Sequence, residues 1–200
     1  MLHNSILARR YNEVVIGAIQ DVMVFSEQEF ELLPEEGRWE VVDGRAILLP
    51  PSEYEHQNLS DALVGMFRLQ LLALECGFAV SATNVFLPRR LELLGGFQSR
   101  VPDITVSKHK PKRHFGVGAA PELVIEILST RRGNVERTEK VDDYALAGIG
   151  EYWIVNPFDR VVEVFVLQSG EYRLQQTATS TISPQEFPGV VIDLSALWAA

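Results

Sequence analysis

Two hydrophobic periods alternate along this chain, and the switches between them outline its elements. Ser26 with Glu29 three residues later forms the pattern of a capping box, opening a short helix to Leu33 that Pro34 ends. Trp39 to Val42 and Arg45 to Leu49 flank Asp43-Gly44, the two-residue signal of a tight β-hairpin. From His56 to Cys76 the apolar residues Leu59, Leu63, Met66, Leu69 or Gln70, and Ala73 recur at helical spacing, and Gly77 stops the helix. Strand-like runs follow at Phe78 to Leu87, Val101 to Ser107 and Glu122 to Leu128. A helix is expected from about Val135 to Ala147, ended by Gly148, then a strand at Tyr152 to Val155 stopped by Asn156-Pro157. Strand, helix, strand at this spacing predicts a βαβ unit. Val161 to Leu167 and Tyr172 to Gln175 read as a hairpin around Ser169-Gly170, and the tail from Phe187 to Trp198 is apolar enough to pack back on the core.

Composition narrows the class. With 200 residues, 46% hydrophobic and 22% charged, the chain supports one core, expected as a single mixed-sheet domain over residues 23–200. Residues 1–22 show no packing pattern and read as an amino-terminal extension or tail, with Met23 an alternative start. The apolar run Val14 to Phe25 is broken by Gln20 and Asp21, and no stretch reaches the about 20 apolar residues of a membrane span. Cys76 is the single cysteine, which excludes an intrachain disulfide and fits a reducing cytoplasm. A net charge of −9 argues against indiscriminate binding of polyanions, so any nucleic-acid contact must be local.

The chemistry is suggested by two misplaced acids. Val101-Pro-Asp-Ile-Thr-Val106 and Leu123-Val-Ile-Glu-Ile-Leu128 read as strands buried on both faces, yet each holds a carboxylate. A buried carboxylate must be paired, protonated or bound to a metal. Adjacent strands lie about 4.8 Å apart, so Asp103 and Glu126 on one face would reach a common ion. Oxygen donors suit a hard cation such as Mg²⁺ or Mn²⁺. The competing explanations are a buried ion pair with Arg100 or Lys140, or strand ends that lie nearer the surface than the apolar runs suggest.

Charge is distributed unevenly around these acids. Nine cations (Arg100, Lys108, Lys110, Lys112, Arg113, Arg131, Arg132, Arg137 and Lys140) meet only five acids between Arg100 and Lys140, a net positive segment in an acidic chain. If the two acid-bearing strands run parallel, the loop from Lys108 to His114 and the pair Arg131-Arg132 lie beyond the same strand ends. A positive rim there would serve a phosphodiester substrate, although a basic loop can also be merely solvated.

Other hydrolase signatures are missing: no Gly-x-Ser-x-Gly elbow, no His-Glu-x-x-His helix, no Cys-x-x-Cys pair. What remains is Pro102-Asp103, Glu126-Ile-Leu-Ser129, then Glu139-Lys140 on a helix leading into Gly148-Ile-Gly-Glu-Tyr-Trp-Ile-Val-Asn-Pro157. Together with Arg38-Trp-Glu-Val-Val-Asp-Gly44, Pro50-Pro-Ser and Glu55-His-Gln57, this pattern resembles the Uma family of endonucleases, within the restriction-endonuclease-like PD-(D/E)XK superfamily. The resemblance implies an α/β (α+β) restriction-endonuclease-like fold: a mixed central β-sheet flanked by helices, with an N-terminal β-hairpin. It further implies a Mg²⁺- or Mn²⁺-dependent endonuclease acting on nucleic acid, DNA more than RNA. Asp103 and Glu126 would be the metal ligands, and Glu40 a further acid. The superfamily's lysine stands two residues after the second acid, where this chain has Leu128, so Lys140 takes its place in the Uma pattern. Arg100, Lys108, Lys110, Lys112, Arg113, Arg131, Arg132, His56 and Ser129 are the expected nucleic-acid contacts, with structural roles open for His56 and Ser129. Duplex-cutting nucleases often need two active sites, which admits a homodimer. The alternative is a catalytically inactive module that keeps the fold and binds nucleic acid or protein.

Overall fold

A computed structural model describes residues 26–34, 36–42, 44–88, 98–111, 114, 119–129 and 134–199. The expected extension over residues 1–22 and the start at Met23 lie outside the described residues. Helix α1 (Glu27–Phe30) begins with the capping box its sequence announces: Glu29 N–H donates to the Ser26 hydroxyl, and Ser26 N–H donates to the Glu29 carboxylate at 2.9 Å. Strands β1 (Arg38–Val42) and β2 (Arg45–Leu49) form the N-terminal antiparallel hairpin, with Gly44 at a positive φ of 75°. Helix α2 (Tyr54–Ala73) follows.

The expected strand from Phe78 to Leu87 is two strands in two sheets. β3 (Phe78–Ser81) and β4 (Val85–Leu87) are separated at Ala82, whose φ is +50°, and the Asn84 amide donates to the Trp39 carbonyl at 2.7 Å, drawing β4 toward the hairpin. The run at Val101 to Ser107 is likewise shorter than its hydrophobicity suggests. β5 (Gln98–Arg100) and β6 (Ile104–Ser107) lie on either side of Pro102, which has no N–H for a ladder. Asp103 therefore stands one residue before β6, not within it.

Next come β7 (Leu123–Ile127), α3 (Asn134–Leu146), β8 (Glu151–Asn156), the hairpin β9 (Val161–Gln168) and β10 (Glu171–Ala178), then β11 (Thr181–Ile182), β12 (Ile192–Asp193) and α4 (Leu194–Leu197). A six-stranded mixed sheet has the order β10-β9-β8-β7-β6-β3, a four-stranded sheet the order β2-β1-β5-β4, and β11 pairs with β12. β7 and β8 are parallel and joined by α3, the expected βαβ unit.

Alternation along the central strands divides the core between the sheet's two faces. Leu123, Ile125, Ile127, Ile104 and Val106 meet Leu63, Phe67 and Leu71 of α2, with Trp153 buried between them. Val124, Tyr152 and Ile154 on the other face meet Tyr144 of α3 and Val85 and Leu87 of β4. Phe187, Val190, Ile192, Leu194 and Leu197 complete the α2 side, so the tail packs back as its composition predicts. Among the described residues no helix is long and apolar enough to cross a membrane.

Candidate active site

β6 and β7 are antiparallel, paired Ile104 to Ile125, and this register sets Asp103 across from Glu126 at one end of the sheet. Glu126 shares a face with Val124, toward α3, where Lys140 Nζ lies 3.1 Å from Oε1 and 3.3 Å from Oε2. The Tyr144 hydroxyl donates to the same Oε1 at 2.7 Å. Asp103 Oδ2 accepts the Ile127 N–H at 2.7 Å and lies 3.0 Å from His56 Nε2, at the start of α2. Glu40 reaches in from the hairpin: Lys140 Nζ is 3.5 Å from its Oε1, which also accepts the Val101 N–H at 3.0 Å.

Glu40, Asp103, Glu126, Lys140 and His56 thus converge from β1, the loop before β6, β7, α3 and α2. The side chains of His56 and Asp103 are each 12% exposed and that of Lys140 20%, so the cluster is lined by protein but open to solvent. Helical spacing explains the α3 contribution: Lys140, Asp143 and Tyr144 stand at i, i+3 and i+4 and share one face. Asp143 and Tyr144 escaped the sequence reading. Their spacing from Lys140 was the available signal, and it gains meaning only once Lys140 is known to face the acids.

The electrostatics are strained in one direction. Burial pushes the Glu126 carboxyl up to about 7, aided by Asp103 and Glu40 and opposed by Lys140 and the Tyr144 hydroxyl. Burial would lower Lys140, but Glu126, Glu40 and Asp103 together outweigh it and hold the ammonium above its ordinary range. The hydrogen bond to Asp103 raises His56 despite its burial. Burial, then the charge of Glu126, raises the Tyr144 phenol. His56 Nδ1 is buried without a hydrogen-bond partner among the described residues.

Among the described residues no group of three or more His, Cys, Asp or Glu is arranged to hold a metal ion. The donor set nevertheless fits a hard cation of the Mg²⁺ kind, which usually takes one or two carboxylates and completes its shell with water and substrate phosphate. Asp103 spends Oδ2 on two donors, while the carboxyl of Glu126 is raised by burial and by two neighbouring acids, a condition that a divalent charge would relieve.

The expected basic rim is divided. Because β6 and β7 are antiparallel, the loop after β6 leaves the sheet at the end opposite the acids, which corrects the expectation built on parallel strands. There Lys108 donates its backbone N–H to Glu122 at 2.8 Å and pairs its ammonium with Glu186 at 2.6 Å, and Lys110 is exposed. Ser129 is exposed just past β7, on the acids' side. Arg100 is buried, its guanidinium turned inward to Glu40 and Asp143. Lys112, Arg113, Arg131 and Arg132 lie outside the described residues.

A mixed sheet that gathers carboxylates at the ends of two adjacent strands is the architecture of restriction-endonuclease-like proteins, and here the lysine beside them comes from α3. The Uma2 family model, described as "Putative restriction endonuclease", matches residues 27–195, and the chain belongs to that family. A crystal structure of "a putative nuclease belonging to DUF820" from Anabaena variabilis shares the fold, with a TM-score of 0.68 and 20% sequence identity over 88% of this chain and 98% of that one. No curated protein matches the chain.

Proposed function

We propose that this protein is a divalent-metal-dependent endonuclease that hydrolyses phosphodiester bonds of nucleic acid, DNA in preference to RNA, in the cytoplasm. The observation that carries this reading is the approach of Lys140 to 3.1 Å from Glu126, at the strand end where Asp103 stands opposite. Asp103 and Glu126 would hold Mg²⁺ or Mn²⁺. When bound, such an ion polarises a phosphoryl oxygen and acidifies water. The chain's own groups do the rest. His56 and the Ile127 N–H fix Asp103 through Oδ2, leaving its other oxygen for a ligand. Lys140 offsets the negative charge that grows on the phosphoryl oxygens as water attacks phosphorus in line with the leaving oxygen. Glu40 holds Lys140 from its second side. Ser129 and the arginines that follow it in sequence serve the phosphate backbone.

The test is cleavage of a panel of plasmid and oligonucleotide DNA with Mg²⁺ or Mn²⁺. Asp103→Asn and Glu126→Gln should abolish it while circular dichroism and melting stay those of a folded protein. Clean variants that cut as well as the parent would overturn the assignment. Calorimetric titration with Mn²⁺ should give heat that depends on both acids, and its absence would favour a binding module that keeps the fold without the chemistry.

A further inference from the structure

Arg100 was expected at the nucleic-acid surface, yet it is 6% exposed, at the end of β5 in the four-stranded sheet. Its Nη1 donates to Glu40 Oε2 at 3.0 Å and its Nε to Asp143 Oδ2 at 2.8 Å. One rigid guanidinium therefore joins the hairpin strand that carries Glu40 to the helix that carries Lys140. Asp143 is three residues from Lys140 and adjacent to Tyr144, on the helical face that meets Glu126. The planar fork matters, because an ammonium is a point charge that cannot hold two carboxylates in fixed directions at once.

Lys140 stands between two acids, 3.1 Å from Glu126 and 3.5 Å from Glu40. Glu40 spends Oε2 on Arg100, and Oε1 also accepts the Val101 N–H. With that carboxylate held from its far side, Glu40 stays at 3.5 Å while the ammonium makes its shorter contact, 3.1 Å, with Glu126. Without the guanidinium, Glu40 would compete for Lys140, and the turn of α3 that carries both Lys140 and Asp143 would lose its tie to β5.

We propose that Arg100 is a positioning residue: acting through Glu40 and Asp143, it sets the place of Lys140 between the two acids and thereby the rate of the reaction. This inference rests on the nuclease reading for its kinetic consequence, but the placement of Lys140 can be measured without catalysis.

The variants are Arg100→Lys, which keeps the charge and loses the fork, and Asp143→Ala, which removes the acceptor of one arm should the first fail to fold. In single-turnover DNA cleavage each should lower the rate by about 10- to 100-fold, the scale of a misplacement near 1 Å. The Kd for DNA, measured with Ca²⁺ to prevent cleavage, and its salt dependence should be unchanged. In the metal-free protein the ¹⁵N ammonium resonance of Lys140, assigned with Lys140→Arg, should shift or broaden in both variants. Weakened binding with a shallower salt slope at an unchanged rate would make Arg100 a phosphate contact and overturn the proposal. An unmoved Lys140 resonance would also overturn it. If the parent protein cuts no DNA, the nuclease reading fails by itself, and the resonance still decides whether Arg100 places Lys140.

Discussion

Glu126 is the residue on which the site's electrostatics turn, because it is the acid that burial and two carboxylate neighbours hold protonated up to about 7. Between its ordinary value of 4.5 and that point the native chain keeps a proton that the unfolded chain releases. Metal-free stability should therefore fall as pH rises through this window. His56, raised from 6.5 chiefly by its hydrogen bond to Asp103, adds a loss of the same sign at the upper end. Urea midpoints measured from about pH 5 to about pH 8 should fall for the parent protein and flatten in Glu126→Gln. A parent profile that rises would contradict the burial of this carboxyl. The same proton must leave when a cation binds, so Mn²⁺ affinity should increase with pH across this range, with protons released into the buffer. Tyr144 offers a narrower probe. Its ring is fully buried and its hydroxyl donates to Glu126 at 2.7 Å, so Tyr144→Phe removes one bond to an acid and little packing. Above about pH 7, where Glu126 is ionised, a loss of about 2 kcal/mol in urea unfolding is expected, the usual worth of a hydrogen bond to a charged group, and about 1 kcal/mol below it.

At the scale of elements, the useful signals were local ones. The capping box at Ser26 and Glu29, the hairpin around Gly44 and the amphipathic period of α2 each formed where the residues indicated, since backbone preference and side-chain alternation act within a few positions. Ala82 and Pro102 show the opposite case. Both interrupt runs that read as continuous strands, and at Ala82 the chain changes sheets through a positive φ that an alanine seldom adopts. The turn out of α2 is constrained by close approach. A Cβ at Gly77 would lie 2.8 Å from the Ser107 carbonyl oxygen and 2.8 Å from the Phe187 ring. Gly77→Ala should cost about 2 kcal/mol in urea unfolding because one of those neighbours is backbone and cannot swing away. An unchanged midpoint would mean that β6 and the tail yield more readily than their burial implies.

For the whole molecule, the tail and the strand order matter most. Phe187, Val190, Ile192, Leu194 and Leu197 are each at most 1% exposed and seal the core under α2. Burying five such side chains is worth about 2 kcal/mol apiece, comparable in sum with the entire stability of a domain of this size. Removal of residues 187–200 should therefore abolish cooperative urea unfolding, while a truncated chain that still unfolds in one sharp transition would show the tail to be dispensable. The sequence by itself determined the element types, the βαβ unit and the oddity of two acids in apolar runs, because hydrophobic period and turn chemistry are short-range properties. It also carried the family pattern, and with it Glu40 and Lys140. Only tertiary structure decided that β6 runs against β7, which sends Lys108 away from the acids, and that the Arg100 guanidinium turns inward between Glu40 and Asp143. Strand direction and the partners of a buried charge depend on residues far apart in the chain, so no local pattern encodes them.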